Sequence, residues 1–238
     1  MTENELLING AKEMGIELNE DTVKRFFAFS QFLLLRNKTM NLTAITDPRG
    51  IIIKHFLDSL SLLAVTEIPR AASVIDIGTG AGFPGIPLKL ARPDLDITLM
   101  DSLAKRADFL KAALDVLGIA DLKVLNARAE EYGHVPAFRE KYDFAVSRAV
   151  GSLSVLCEYC LPYVKAGGVF LAMKGSDASL ELESARSAIK ALSSELAGVR
   201  AVNLPDGIKH SVIIIRKLRH ISPEYPRKQS KIAKSPIN

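Results

Sequence analysis

A glycine-rich turn between an apolar run and a helical pattern is the feature that most limits the folds open to this chain. Residues 74–77 form a short apolar run typical of a buried strand, residues 78–85 contain four glycines, and a helical pattern follows. Glycine lets the backbone turn tightly and approach a ligand without a Cβ in the way, and the helix behind the turn offers free N–H groups. The next apolar run ends in Asp101, whose carboxylate can accept hydrogen bonds from both hydroxyls of a ribose. This order of turn, helix and acid predicts a site for a cofactor that contains a nucleoside.

Strand and helix patterns alternate from residue 73 onward. The predicted strands are 73–77, 97–101, 122–126, 143–147, 168–172, 199–203 and 211–216. The predicted helices between the first six are 86–92, 103–117, 129–132, 152–163 and 177–196. Such alternation is typical of a doubly wound parallel sheet. The last two strands are joined by a short linker that contains Asp206-Gly207, a strong hairpin signal. Since a parallel crossover needs about a dozen residues or more, the final pair must be antiparallel.

This final hairpin bears on two interpretations of the glycine-rich turn. Residues 80–85 also fit the nicotinamide-dinucleotide pattern, but a dinucleotide domain uses six parallel strands. A mostly parallel seven-stranded sheet with an antiparallel last strand is the arrangement of S-adenosylmethionine-dependent methyltransferases. Asp76, just before the turn, also fits the acid that such folds place near the methionine end of the cofactor. We therefore predict an α/β class I methyltransferase fold with a doubly wound sheet, and keep a nicotinamide-dependent oxidoreductase as the alternative.

The segment before the sheet differs in character. Residues 1–66 carry helical patterns at 3–14, 21–37 and 51–65, with Asn19 or Asp21 as the N-cap of the second and a break at Asp47-Pro48 before the third. No strand pattern lies between them. We therefore expect a small N-terminal helical cap over residues 1–66 and a cofactor-binding domain over residues 67–218.

The C-terminal segment is strongly basic. Residues 216–238 hold seven Lys and Arg residues against one acid, Glu224, and three prolines interrupt them. A segment of this composition is expected to be flexible, so residues 219–238 are predicted to be a tail that does not shape the cofactor site. Nucleic acid is its natural partner, because neutralised phosphates give affinity that is independent of base sequence. A solvated tail without a partner is the other interpretation.

Bulk composition narrows the class of protein. With 238 residues and 48% apolar content, the chain has room for one full domain and an accessory segment. The N-terminus lacks the basic start of a signal peptide, and no apolar run approaches the ~20 residues of a membrane span. We therefore expect a cytoplasmic monomer without membrane contact. The two cysteines, Cys157 and Cys160, lie on one predicted helix and are expected to be buried thiols rather than metal ligands.

Several stretches together resemble a single family. They are residues 37–45, 55–60, 76–87, 101–106, 127–131, 147–150 and 174–175. From about residue 20 to residue 217 the chain is similar to the ribosomal RNA small subunit methyltransferase G family, also called glucose-inhibited division protein B. The resemblance implies methylation of N7 of one guanine in small-subunit (16S) ribosomal RNA, with S-adenosylmethionine as the donor and the RNA or the ribosomal subunit as the partner. A non-catalytic RNA-binding module that keeps the cofactor fold is a second alternative.

The candidate site residues follow the carboxyl ends of the predicted strands, where open α/β sheets bind ligands. Arg148 is the candidate catalytic residue, since its guanidinium can fork onto a phosphate, a base edge or the methionine carboxylate. The expected cofactor-binding residues are Asp76, Gly78, Gly80, Gly82, Phe83, Asp101, Ala129, Glu130 and Arg148. The expected RNA-binding residues are Lys105, Arg106, Arg128, Lys174, Arg227 and Lys228, and no metal site is predicted.

Three polar residues of the N-terminal segment are expected to have structural rather than chemical roles. His55 lies beside Phe56 on a predicted helix and is expected to serve packing more than chemistry. Asn41 and Asp58 are expected to cap helices or to tie the helical segment to the cofactor domain.

Overall fold

The N-terminal part of the chain is helical, as its patterns predict. The computed structural model describes residues 2–148, 151–175 and 178–237. Helix α1 (Glu3–Glu13) is followed by α2 (Glu20–Met40). Asn19 is the N-cap of α2, because its side chain accepts a hydrogen bond from the backbone N–H of Thr22 at 2.8 Å. Asn41 ends the helix in the left-handed conformation, with φ of 50°.

The third helical stretch begins earlier than predicted and contains a π-helical segment between two α-helical ones. It consists of α3 (Pro48–Ile51), a π-helical segment (Ile52–Leu57) and α4 (Asp58–Val65). Asp47 accepts a hydrogen bond from the backbone N–H of Gly50 at 2.6 Å, and proline is well tolerated at the first helical position. The Asp47-Pro48 pair therefore starts this helix instead of breaking the chain before it.

Seven strands form one sheet. They are β1 (Ser73–Ile77), β2 (Asp96–Asp101), β3 (Lys123–Asn126), β4 (Tyr142–Arg148), β5 (Val164–Lys174), β6 (Ser194–Asn203) and β7 (Lys209–Lys217). Their order is β3-β2-β1-β4-β5-β7-β6. Strand β7 is antiparallel to both of its neighbours, and the other neighbouring pairs are parallel. The predicted fold class is confirmed, and the hairpin explains the order, since β6 occupies the edge and β7 returns beside β5.

Helices connect the strands on both faces of the sheet. They are α5 (Gly85–Ala91), α6 (Ala104–Leu117), α7 (Ala129–Tyr132), α8 (Leu153–Cys160) and α9 (Ala178–Ala191). Helix α9 ends before the predicted residue 196, and residues 194–196 belong to β6. Strand β6 lies at the sheet edge and most of its residues are exposed, so it lacks the apolar run that marks a buried strand. The predicted start of α9 at residue 177 lies outside the described residues.

The N-terminal helices share a core with the sheet. The rings of Phe29 and Phe83 lie 5.3 Å apart between centroids, and those of Phe32 and Phe109 lie 5.5 Å apart. Phe29, Phe83 and Phe109 belong to one buried cluster with β-strand residues such as Leu99, and the partly buried Phe32 packs against it. Helices α1 to α4 therefore form part of the layer on one face of the sheet. The other face packs on α8, where Cys157 and Cys160 are free and buried, and burial raises the pKa of both thiols.

The C-terminal segment differs from the flexible tail that its composition predicts. Ile221 and Ile232 are buried, and residues Gln229–Lys234 form helix α10. Arg227 donates three hydrogen bonds to Glu158, a fully buried residue of α8, at 2.7 to 2.8 Å. The segment is ordered although most of it is polar, because two buried isoleucines and one buried ion pair attach it to the rest of the protein. Within the described residues, none of the helices is both long and apolar enough to span a bilayer.

Candidate active site

The turn after β1 is held in shape by the end of β2. The backbone N–H of Gly80 donates to Oδ2 of Asp101 at 3.0 Å, and the N–H of Leu103 donates to Oδ1 at 2.9 Å. At Gly82, where φ is +94°, an added Cβ would lie 2.5 Å from Cδ1 of Ile86. This backbone conformation therefore requires glycine. Asp101, buried at the strand end, joins the turn to the start of α6.

Asp76 is a buried carboxylate, and one of its two oxygens accepts hydrogen bonds from the protein. Its Oδ2 accepts hydrogen bonds from the Thr79 hydroxyl at 2.6 Å and from the Gly85 N–H at 2.8 Å. Its Oδ1 is buried and has no hydrogen-bond partner among the described residues. Burial raises the pKa of Asp76 to about 6, although the bonds from Thr79 and Gly85 oppose that rise. A buried carboxylate oxygen without a donor is suited to receive a cationic group of a ligand.

Two cavities open at the carboxyl ends of the strands. The first, called here the β2 cavity, has a volume of about 150 Å³. Four predicted cofactor-binding residues line it: Gly78, Asp101, Ala129 and Glu130. It is also lined by Arg128, by Tyr159 of α8 and by Gln229 of α10. The C-terminal segment thus contributes a wall to this cavity, contrary to the prediction that it does not shape the site.

The second cavity, called here the β4 cavity, has a volume of about 530 Å³. Its lining residues are Ile45, Lys54, His55, Asp58, Arg148, Gly151, Met173, Lys174, Gly175, Glu181 and His210. They come from the N-terminal segment, from the ends of β4 and β5, from α9 and from the β6–β7 hairpin. The N-terminal segment therefore supplies one side of a cavity that the sheet alone does not enclose.

Arg148 lies at the centre of a dense set of contacts in the β4 cavity. One terminal nitrogen donates to the carbonyl of Lys54 and to Oδ2 of Asp58, both at 3.0 Å. The other lies 3.2 Å from Nδ1 of His55. The guanidinium carbon is 5.0 Å from the ring centroid of Phe83, a cation–π geometry. Three kinds of acceptor thus orient the guanidinium, and the donors that these bonds leave unused are available to a ligand.

His55 belongs to this group and is more than a packing residue. Its ring stacks on Phe83 at 4.4 Å with an interplanar angle of 18°. Nε2 lies 2.8 Å from the hydroxyl of Thr43. Burial, and secondly the neighbouring Arg148, lower the pKa of His55 to about 4. The imidazole is therefore neutral at physiological pH. With its proton on Nε2 it donates to Thr43 and accepts from Arg148 at Nδ1, and in the other tautomer Nδ1 donates to the Lys54 carbonyl at 3.1 Å.

Two of the predicted RNA-binding cations are held inside the protein. The ammonium of Lys174 donates to the carbonyl of Gly151 at 2.6 Å and pairs with Glu181 at 2.7 Å. Its side chain is only 6% exposed. Arg227 is held by buried Glu158. Neither side chain is placed for free contact with RNA, because each already compensates a carboxylate of the protein.

The other four predicted RNA-binding residues are nearer to solvent. Lys105, Arg128 and Lys228 are exposed, whereas Arg106 is half-buried and lies 3.3 Å from Oδ2 of Asp101. They remain candidates for phosphate contact, and Arg128 lines the β2 cavity.

Four of the expected cofactor-binding residues line neither cavity, and two site residues were missed. Asp76, Gly80, Gly82 and Phe83 lie beside the cavities without lining them. Phe83 is buried against His55 and Arg148. Asp58 and His210 line the β4 cavity, although the sequence assigned the first a structural role and the second none. The family motif at residues 55–60 was the one available signal for Asp58. The motif at 147–150 is described only as far as Arg148.

The fold and the site together define a class I methyltransferase. The sheet with antiparallel β7, the turn after β1 and the acid at the end of β2 are its characteristic parts. The structure of TrmN from Thermus thermophilus shares this fold, with a TM-score of 0.53 and 19% identity over 68% of this chain and 48% of that one. TYW2 from M. jannaschii, solved in complex with AdoMet, has a TM-score of 0.51 at 12% identity over 64% of this chain and 72% of that one.

Sequence relatives identify the family. The chain belongs to the rRNA small subunit methyltransferase G family, whose model matches residues 22–211. It is 46% identical to the ribosomal RNA small subunit methyltransferase G of Acetivibrio thermocellus, over 98% of this chain and 96% of the relative. It is 45% identical to the protein of the same name from Desulforamulus reducens, over 97% of each chain. The resemblance predicted from the sequence motifs is thereby confirmed.

Proposed function

We propose that this chain transfers the methyl group of S-adenosylmethionine to N7 of a guanine in small-subunit ribosomal RNA, with the cofactor at the β2 cavity and the guanine at the β4 cavity. As a member of its family the chain is an S-adenosylmethionine-dependent ribosomal RNA methyltransferase. One observation carries the assignment of the two cavities. Asp76, Asp101 and Arg148 lie at or near the carboxyl ends of three adjacent strands, β1, β2 and β4.

The residues around the β2 cavity fit the cofactor. Asp101 is placed to accept hydrogen bonds from the ribose hydroxyls, and Ala129 and Glu130 border the adenine. The unpartnered Oδ1 of Asp76 suits the ammonium of the methionine moiety, because a buried carboxylate oxygen without a donor is costly until a cation reaches it. When bound, S-adenosylmethionine supplies an electrophilic methyl group on a sulfonium.

The chemistry at the β4 cavity needs positioning more than proton transfer. Guanine N7 presents a lone pair and carries no proton, so neither a covalent nucleophile nor a strong base is required. Methylation at N7 places positive charge on the base. Arg148 is paired with Asp58 and His55 is neutral, so neither of these two residues adds net positive charge against the product. The role of Arg148 is to hold the base or its phosphate by hydrogen bonds.

RNA is expected to approach over the exposed cations near the two cavities. Lys54 is exposed and lines the β4 cavity, Arg128 is exposed and lines the β2 cavity, and Lys105 is exposed in the first turn of α6, which follows β2. Phosphate contacts of this kind give affinity that falls with salt concentration.

The activity is tested by incubating the protein with labelled S-adenosylmethionine and small-subunit ribosomal RNA from a strain that lacks this gene. Nucleoside analysis should find the label in 7-methylguanosine. Label in another nucleoside would contradict the N7 assignment, and cofactor binding without transfer would favour a non-catalytic RNA-binding module. The nicotinamide alternative is disfavoured by the antiparallel β7, and it predicts binding of a nicotinamide cofactor in the same titration.

Asp101→Ala is expected to weaken S-adenosylmethionine binding by about 1.5–3 kcal/mol, the range for hydrogen bonds to a charged group. The substitution removes the ribose acceptor and also frees the N–H groups of Gly80 and Leu103. Calorimetric titration measures the dissociation constant. Asp96→Ala is the matched control, because Asp96 is the exposed acid at the other end of β2 and pairs only loosely with Lys123, at 3.4 Å. Equal affinities for both variants and the unchanged protein would remove Asp101 from the site.

Cofactor affinity is expected to fall as the pH is lowered through about 6, the raised pKa of Asp76. Above that pH Asp76 is ionised and can pair with an ammonium, whereas below it the carboxyl is neutral. The ionised fraction of Asp76 falls about tenfold between one pH unit above its pKa and one pH unit below it. Binding at pH 5 should therefore be roughly tenfold weaker than at pH 7. Titrations across this range measure the effect. Asp76→Asn should bind weakly with a flat profile, and a flat profile in the unchanged protein would exclude this role.

A further inference from the structure

One carboxylate joins three elements that lie far apart in the chain. Asp58, the first residue of α4, places Oδ2 at 3.0 Å from Arg148 of β4 and Oδ1 at 2.5 Å from Nδ1 of His210 of β7. The three side chains are 11% to 17% exposed and line the same cavity. Oδ2 thus accepts a hydrogen bond from Arg148, and Oδ1 is in close polar contact with the ring of His210.

The contacts of Asp58 favour a positioning role. Its carboxylate is well placed to fix the guanidinium of Arg148, because Oδ2 accepts a hydrogen bond from that guanidinium while Oδ1 lies against His210 on another strand. His210 has a further neighbour, the Ser61 hydroxyl at 3.4 Å from Nε2.

The backbone before Asp58 supports the same role. Residues Ile52–Leu57 form a π-helical segment, which ends immediately before Asp58 and contains both Lys54 and His55. The carbonyl of Lys54 and the ring of His55 are the other two acceptors that contact Arg148. Such π-helical turns are rare and frequently occur at functional sites, since the extra residue per turn redirects side chains. Among the described residues, the polar acceptors that contact Arg148 thus come from this one stretch, residues 54–58.

We infer that Asp58 and His210 are positioning residues that fix Arg148 in the orientation needed for methyl transfer. Asp58 acts directly on the guanidinium, and His210 acts through Asp58. The inference rests on the proposed role of Arg148 and deepens it by naming the groups that orient it. A small displacement of an aligning group is costly in a reaction that depends on geometry, on the order of 100-fold in rate for about 1 Å.

The test is a double-mutant cycle on Asp58 and Arg148, read in single-turnover methylation of small-subunit ribosomal RNA together with the S-adenosylmethionine dissociation constant. Asp58→Ala should lower the rate on the order of 10- to 100-fold with the dissociation constant changed less than about twofold. The double variant should be no slower than Arg148→Ala alone, because the effect of Asp58 passes through Arg148. His210→Ala should lower the rate in the same direction, and His210→Asn, whose amide N–H can replace Nδ1–H, should recover part of it.

Matched variants separate this inference from loss of fold and from failure of the proposed function. Asp206→Asn removes an acid that pairs with Arg49 outside the cavity, on the β6–β7 hairpin, and should leave the rate unchanged. Asp58→Asn keeps the side-chain volume and should still be slow if Asp58→Ala unfolds. An Asp58 variant that binds cofactor and transfers methyl at the normal rate would overturn the inference, as would effects of Asp58 and Arg148 that multiply. Normal turnover by Arg148→Ala would instead overturn the proposed role of Arg148.

Discussion

Arg148→Ala should lower the rate of methyl transfer by a factor on the order of 100 to 1,000, the cost of removing one preorganised donor from an active site. The reason is geometric. The guanidinium is oriented by Asp58, His55 and the Lys54 carbonyl and lies over the ring of Phe83, at the edge of the cavity assigned to the guanine. The measurement is single-turnover transfer from labelled S-adenosylmethionine, with cofactor affinity and thermal unfolding determined for the same protein.

Two further variants make this result specific. Arg148→Lys should restore little activity, because an ammonium cannot reproduce the planar fork that contacts Asp58 and His55 together. Arg186→Ala removes an exposed arginine that pairs with Glu183 on α9, and should transfer methyl at the normal rate. Near-normal turnover by Arg148→Ala would exclude the residue from the reaction.

Arg227→Ala should destabilise the protein by about 3 kcal/mol, at the lower end of the range for breaking a buried ion pair. The substitution leaves the carboxylate of Glu158 fully buried without the guanidinium that binds it. Detachment of the C-terminal segment would expose Glu158 to water, and this limits the cost. Urea unfolding at neutral pH measures the loss in the free energy of unfolding.

The control for this prediction lies in the same segment. Lys231→Ala removes an equal charge from the exposed side of α10 and should change stability by less than about 0.5 kcal/mol. Glu158→Gln combined with Arg227→Ala should recover part of the loss, because the buried group is then uncharged. Equal stability of Arg227→Ala and Lys231→Ala would mean that the ion pair does not anchor the segment.

This anchoring changes the interpretation of the basic C-terminal segment. Its charge suggested an RNA-binding arm, yet Arg227 is committed to Glu158, and Gln229 lies at the wall of the β2 cavity beside Arg128. Counting charges correctly showed that the segment is basic, but it could not show which acid each cation pairs with. Lys174 is a second example, because it was predicted to contact RNA and instead pairs with Glu181.

The class of the protein followed from local patterns. The turn after β1 requires glycine for reasons of backbone conformation, the strands are apolar because both faces of the sheet are covered, and a short Asp-Gly linker forces an antiparallel return. The turn and the linker are set by neighbouring residues, and a strand buried on both faces is apolar along its own length, so each of these features leaves a readable trace. They were sufficient to predict the sheet, the cofactor class and the position of Asp101, and the motifs pointed to the family that the relatives confirm.

Only the tertiary structure decided how the site is assembled. Asp58, Arg148 and His210 come from three elements and meet because the N-terminal helices pack on the sheet beside the β6–β7 hairpin. The same folding determined which cations are compensated inside the protein and which remain exposed. The physical reason is that ion pairing and burial depend on distances through space, and nothing in the neighbouring residues of a lone Asp or Lys records them.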